Sequence, residues 1–570
     1  MKYILYLFLL NSIWVFSQDF DTIKYTYRTG GEIDSLDYAY STDVTPFIAG
    51  VLNKNTSYFS TDVFNACNGL NPFDKKSVYS DLKFSALPHL GFSYSFSSLS
   101  VQFVHFDYQQ VFNKSILNVE LNRSTSNGLM RNSEFTKNDF IFQLSRSSKR
   151  FSYLLQLNNY SNLHGLNGGG VDFNFVNQQG VEFVPVLFGN ANAEVKGFDV
   201  DYQNKINTIK DSTSNFRSGL ISKHSYSIKH RVFYDNTLLT NYFIDSNETN
   251  DQYRYAETEH KAGFYIENGK IDFNCLLAYK YWDYQNLGLH NDTSEVSLYS
   301  NVNYKNRDFR FNLDFKRNFL GAFGEQNLQS EIGWNRSKFN LNIFAQTNAF
   351  APSLYQRSYF SNKYNYKIDE IELQSKNNLK IDFVYSLGGL FSKINTSAAF
   401  LQLKDNYFFV SGKWRNDTLR NVSFIDFMLK TEFVLGNFSA YPRIKFNISK
   451  GLAQYVPTSE FGFRLLLKDK LFKAKKLEGV VGIDVNHTSS YDLIGFESYL
   501  GLFSIESSGQ MFNPIFNGAF FTGFSIEEFR MYLKLENIGY FFNERSNQIV
   551  RGYPIQPNFI RLGLTWDFFN

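Results

Sequence analysis

The chain has 570 residues, of which 18% are Phe, Tyr or Trp, 43% are hydrophobic and 19% are charged, a balance too apolar for a disordered chain. Its 57 basic and 54 acidic residues leave a formal charge of +3, which excludes a nucleic-acid binder that works through bulk charge. Two cysteines, Cys67 and Cys275, cannot build a disulfide framework, and past the N-terminus no apolar run is long enough for a membrane helix.

The first expected element is an export signal. Lys2 supplies a positive start, residues 4–15 are apolar apart from Asn11 and Ser12, and the small Ser17 precedes Gln18. That layout predicts a cleaved secretory signal peptide over 1–17. No cysteine stands at the cut, so a lipid-anchored product is not expected. Residues 18–80 are mixed in polarity, with scattered Pro, Asp and Gly. They read as a periplasmic stretch, a partial plug or the first strands, and the sequence leaves these three open.

Beyond residue 80 the dominant signal is alternation. Ile271, Phe273, Cys275, Leu277 and Tyr279 interleave with Asp272, Asn274, Leu276, Ala278 and Lys280. Phe309, Phe311, Leu313 and Phe315 interleave with Arg310, Asn312, Asp314 and Lys316. Phe438, Ala440, Ile444, Phe446 and Ile448 oppose Ser439, Tyr441, Arg443, Lys445 and Asn447, and Phe529, Met531, Leu533 and Leu535 oppose Arg530, Tyr532, Lys534 and Glu536. Successive strand residues point to opposite faces, so each stretch has one apolar and one polar face. The expected fold is all-β.

Tight turns at 267–270, 305–308 and 436–437 join consecutive strands, while longer polar connections are expected at 283–293, 318–326, 348–368, 449–458, 488–513 and 540–557. Short turns on one rim and long loops on the other are the asymmetry of an outer-membrane barrel. A secreted β-sandwich also alternates, but the alternating runs are long enough to cross a bilayer on a tilt. Tyr279, Tyr281 and Tyr284, with Trp566 and Phe568, crowd strand ends as interface girdles would. Residues 81–570 therefore predict one large antiparallel transmembrane β-barrel of about 18–24 strands.

The last strand places Ile560, Leu562, Leu564, Trp566 and Phe568 on one face and Arg561, Gly563, Thr565, Asp567 and Phe569 on the other. Such a C-terminal strand suits recognition by the barrel assembly machinery and closure against the first strand. This tail resembles that of the Putative porin family of the Bacteroidetes type, whose members end in a similar Arg-Leu-Gly-x-x-Trp-x-Phe-Phe-Asp/Asn segment. Residues 78–83, Ser126-Asn127-Gly128-Leu129, Asn167-Gly168-Gly169 and 516–537 are similar to further landmarks of that family. The resemblance covers roughly 78–570 and implies a porin-like barrel in the cell outer membrane.

The sequence holds little chemistry. Its histidines are scattered singly, with no metal-ligand spacing, and residues 167–170 lack the Gly-Lys-Ser/Thr of a phosphate loop, so they read as a turn or loop. No Gly-x-Ser-x-Gly elbow occurs. Neither an enzyme nor a cofactor is expected. What remains is the polar face: Arg310, Asp314, Lys316, Arg443, Lys445, Arg530, Lys534, Glu536, Arg561 and Asp567 are the candidate lumen-lining residues.

The leading expectation is a passive porin-like channel for small hydrophilic solutes. An active, TonB-dependent transporter is disfavoured, because its plug domain is larger than the stretch 18–80 allows. A plugged barrel acting as scaffold or secretion partner, its lumen blocked by inward side chains or loops, is the alternative, suggested by the bulky inward Tyr441, Tyr532 and Phe569. Outer-membrane lipid is the expected surrounding. Nothing in the sequence fixes a homo-oligomer interface.

Overall fold

The computed structural model describes residues 88–570, apart from 113–114, 149, 174, 177–178, 212–215, 237–248, 288, 322–323, 369–371, 390, 411, 417–420, 452, 474–475, 506–510, 513–514, 543–546, 556 and 570. The expected signal peptide over 1–17 and the segment 18–80 lie outside the described residues, as does the landmark at 78–83.

A 22-stranded antiparallel sheet closes on itself. It starts with His89–Ser97 and ends with Phe559–Phe569, and these two strands pair with Ser93 opposite Thr565 and Phe96 opposite Leu562. Each intervening strand pairs with its sequence neighbour, as Phe309–Leu320 does with Leu289–Lys305 and Gln326–Asn335. Closure leaves no sheet edge with unpaired backbone groups, the condition for crossing lipid with strands. The outer surface carries exposed Leu277, Phe427, Phe446, Leu533, Ile560 and Trp566, while Asn118, Gln156, Asp426, Asn447 and Asp484 are buried on the opposite face. The alternation of the sequence is thus the partition between lipid and interior.

Both ends of the barrel lie on one rim, since His89 faces Phe569. The short turns at 148–150, 268–270, 306–308, 336–338, 436–437 and 527–528 share that rim. At 268–270 the Asn268 carboxamide oxygen accepts from the Ile271 backbone N–H at 2.8 Å, and Gly269 takes a positive φ of 76°, the demand that Asn-Gly meets at a hairpin. The opposite rim carries the connections 166–191, 321–325, 351–373, 405–420, 451–458, 489–514 and 537–558.

One expected loop is absent. Residues 283–293 are nearly all strand: Ile271–Asn286 and Leu289–Lys305 keep their register up to the pair Asn286 and Leu289. Above the apolar band both faces carry polar residues, so alternation fades although the hydrogen-bonded ladder continues. Tyr284 likewise departs from the girdle reading, because it faces inward and is 1% exposed.

Candidate functional site: the inner wall and the loops over it

The charged residues singled out by alternation make a network on the inner face. Arg310 donates to Glu331 at 2.8 Å. Asp314 accepts from Asn301 at 2.6 Å and from Asn312 at 2.7 Å. The Lys316 ammonium stands 5.6 Å from the centre of the Tyr299 ring. Arg443 donates to Asn486, and Lys445 is buried on the same strand. Across the last two strands of the barrel Arg530 and Asp567 are 3.9 Å apart, Lys534 and Glu536 3.3 Å, and Arg561 donates to Glu536 at 2.6 Å. Asp567 also reaches His89 at 3.4 Å. Tyr441 packs against Leu466, Val480 and Phe521, and the Tyr532 ring lies where Gly563 leaves room for it.

More pairs occupy the neighbouring wall: Lys205 with Glu267 at 2.5 Å, Lys261 with Glu259 at 2.9 Å, and Lys280 with Glu257 at 2.9 Å. Lys261 sits 4.1 Å from the centre of the Tyr299 ring and Lys280 4.8 Å from that of Trp282. Arg464 meets Asp484 at 2.9 Å. Alternation does not single these out, since it names a face and cannot say which charges across two strands fall within reach.

The long connections carry a second structure. They fold into short hairpins, Ser358–Phe360 with Asn365–Lys367, Phe408–Val410 with Lys413–Arg415, and Gly495–Glu497 with Leu502–Ser504. Two apolar clusters form between these loops and the wall. In one, Val184, Phe408, Val456, Ile494 and Tyr553 meet Leu401, Val422 and Phe424 of the strands. In the other, Phe188, Tyr359, Phe409, Tyr499 and Leu500 meet Phe233 and Tyr253. Phe233 is fully buried while its neighbour Tyr234 is 39% exposed, so the loops settle on the inner face. They fold over the mouth rather than away from it.

Backbone bonds tie the loops to one another: Gly170 N–H to the Gly552 carbonyl at 2.7 Å, Ile505 to Phe409 at 3.0 Å and Arg551 to Ile494 at 3.0 Å. A Cβ on Gly169 would stand 3.2 Å from the Gly552 Cα, and both residues have φ of +84°. The glycine run at 167–170 is therefore a loop contact. Glu497 accepts from Lys363 at 3.2 Å and from the Tyr364 hydroxyl at 2.6 Å. Burial raises the Tyr359 and Tyr553 hydroxyls above the usual tyrosine range, which keeps both neutral.

Blocking loops stood only in the alternative reading, and none of the lid's apolar residues was singled out from the sequence. The lid's signal is the apolar pairing inside nominally polar connections, such as Phe408-Phe409 and Tyr499-Leu500. Among the described residues no group of three or more His, Cys, Asp and Glu could hold a metal ion, and no helix is long and apolar enough to cross a membrane.

A closed 22-stranded barrel with an apolar outside, an ion-paired inside and loops packed over one mouth defines an outer-membrane transport-type barrel. The chain belongs to the family described as "Putative porin", whose model matches residues 87–570. No curated protein matches the chain. Among solved structures, the FrpB iron transporter of Neisseria meningitidis (F5-1 variant) is similar at a TM-score of 0.59 and 10% identity, over 85% of this chain and 83% of that one. BauA, the ferric preacinetobactin receptor of Acinetobacter baumannii, is similar at 0.55 and 10% identity, over 85% and 80%. The ferric-catecholate import receptor Fiu of E. coli K12 is similar at 0.55 and 8% identity, over 85% and 82%. These likenesses show a shared fold.

Proposed function

We propose that the protein is a non-enzymatic outer-membrane channel through which small hydrophilic solutes pass by diffusion, delivered to the membrane by the signal over 1–17. The observation that carries this reading is the polar inner face, where Arg310, Asp314, Lys316, Arg443, Arg530 and Asp567 retain accessible surface along the bore. Paired charges of both signs along a wet wall offer hydration and a local field that sorts solutes by charge. The test is conductance of the refolded full chain in planar bilayers under a salt gradient. Discrete openings, brief or lasting, with a defined reversal potential support a pore, and complete silence from folded protein removes it.

A second reading has its own observation. The loops over the mouth bury a substantial apolar core, which a permanently open pore does not need. On that reading the barrel is a plugged scaffold or partner-dependent transporter. Liposome swelling with sugars of increasing size separates the two: graded uptake supports the channel, and none at any size supports the plug.

A further inference from the structure

We propose that the loop hairpins over the mouth form a gate, and that Arg231 is the latch holding it shut by gripping the tip of the hairpin Gly495–Glu497 with Leu502–Ser504. This inference rests on the channel reading and adds the regulation of that channel.

Arg231 belongs to the wall strand Phe216–Asp235 and is 2% exposed. Its guanidinium donates to the Tyr499 carbonyl oxygen at 2.8 Å and to the Tyr253 hydroxyl at 3.4 Å, and it stands 5.5 Å from the Tyr253 ring centre. Tyr499 lies at the loop's inward tip. Its ring packs 4.5 Å from Phe233 of the same wall strand, centre to centre. The tip is shaped for this contact. Gly501 N–H bonds to the Glu497 carbonyl at 2.8 Å, and Gly501 takes a φ of 70°. A Cβ on Gly501 would stand 3.5 Å from the guanidinium.

The latch reaches a second loop. Glu497, beside the tip, holds Lys363 and Tyr364 of the 351–373 connection. Asn362 in turn bonds Thr249 on the wall at 2.6 Å. Release of the tip therefore loosens both loops together. The wall beneath this hairpin is fixed, because Thr488 and Ile515 are paired neighbours in the barrel. The tip can swing while the barrel stays closed.

The chemistry suits a reversible catch. A buried guanidinium needs hydrogen bonds even with the Asp251 carboxylate nearby, and the Tyr499 carbonyl supplies one only while the loop is seated. Once the loop lifts, lumen water replaces that bond, so opening exposes no uncompensated charge. The loop hairpins have two or three paired residues each, whereas neighbouring wall strands pair along most of their length. Elements with so few backbone bonds open locally before the barrel does.

The experiment is planar-bilayer conductance of three full-length proteins, each first shown to be folded by heat-modifiable migration. They are the unaltered chain, Arg231→Met, and a variant in which 489–514 is replaced by a short Gly-Ser turn. The unaltered chain is expected to be mostly closed with brief openings. Arg231→Met should raise the open-to-closed ratio about tenfold or more, the effect of losing a charge-assisted hydrogen bond. The loop-replaced barrel should conduct steadily. If that barrel conducts and folded Arg231→Met gates like the unaltered chain, the latch is wrong and the channel stands. If the loop-replaced barrel is silent, the channel reading falls and the gate with it. Should Arg231→Met not fold, Lys363→Cys with Glu497→Cys, in a Cys67→Ser and Cys275→Ser background, gives the same decision. A reducible bis-methanethiosulfonate linker across the two thiols should hold that protein shut until reductant is added, and free conductance of the cross-linked form overturns the gate.

Discussion

Arg561 and Glu536 meet across the last strand pair of the barrel with Nε and Oε1 2.6 Å apart, and both side chains are all but withdrawn from solvent. Lys534 shares the same carboxylate at 3.3 Å. The pair sits where the chain's final strand joins its preceding neighbour, one ladder away from the closure of that strand against His89–Ser97. Removing one member of a buried ion pair costs about 3–5 kcal/mol. Glu536→Gln takes away the carboxylate that two cations use, and Arg561→Met leaves Lys534 beside Glu536. Unfolding midpoints in urea should therefore fall for both variants and further for Glu536→Gln. Equal midpoints would show that the shared carboxylate carries no special weight.

Leu313 and Asp314 are neighbours on one strand with opposite surroundings. Leu313 lies on the outward parity, and Asp314 accepts hydrogen bonds from Asn301 and Asn312 inside. A lipid-facing Arg near mid-bilayer costs about 2–4 kcal/mol. Leu313→Arg should sharply reduce the heat-modifiable form in outer-membrane fractions, while Asp314→Asn should assemble at close to the unaltered level and shift the reversal potential toward anions. Equal assembly defects in the two variants would reverse the assignment of faces.

Gly552 and Gly169 touch backbone to backbone between two loops, both with positive φ. A β-branched residue at φ of +84° is strained by roughly 1–2 kcal/mol or more, and its Cβ would also meet the facing chain. Gly552→Val should speed proteolytic cleavage within 166–191 and 537–558 and leave the barrel's heat-modifiable shift intact. Unchanged cleavage would mean that this contact does not hold the lid.

The barrel was legible because its physics is one-dimensional. Lipid outside and polar wall inside impose period two on every crossing, so Phe309, Leu313 and Ile560 could be placed from their own strands. The seam could be read as well, since a closed sheet needs its last strand beside its first. The lid was not legible in the same way. Arg231 and Tyr499 are far apart in sequence and meet only because the ring brings a wall strand under a distant loop. Loop residues such as Phe188 and Phe409 have no periodic environment, so no pattern marks them as buried. The expected loop at 283–293 failed for a related reason: beyond the lipid, polarity ceases to report whether a strand has ended.

The buried tyrosines of the lid set its response to alkali. Tyr553 is enclosed, its hydroxyl 3.0 Å from Ser498, and burial raises its ionisation above the usual tyrosine value. Tyr359 is raised in the same sense by the same cause. A group whose folded pKa lies above its unfolded one contributes stability that is complete below the unfolded value, about 10 for tyrosine, and is lost as pH rises through the folded value. The lid should therefore stay packed through neutral pH and loosen above about pH 10, with tyrosinate absorbance rising together with loop proteolysis. The informative comparison is Tyr553→Phe, which keeps the ring and removes the titrating group. That variant should hold its lid to higher pH than the unaltered chain, and an identical alkaline profile would show that Tyr553 does not set the loosening.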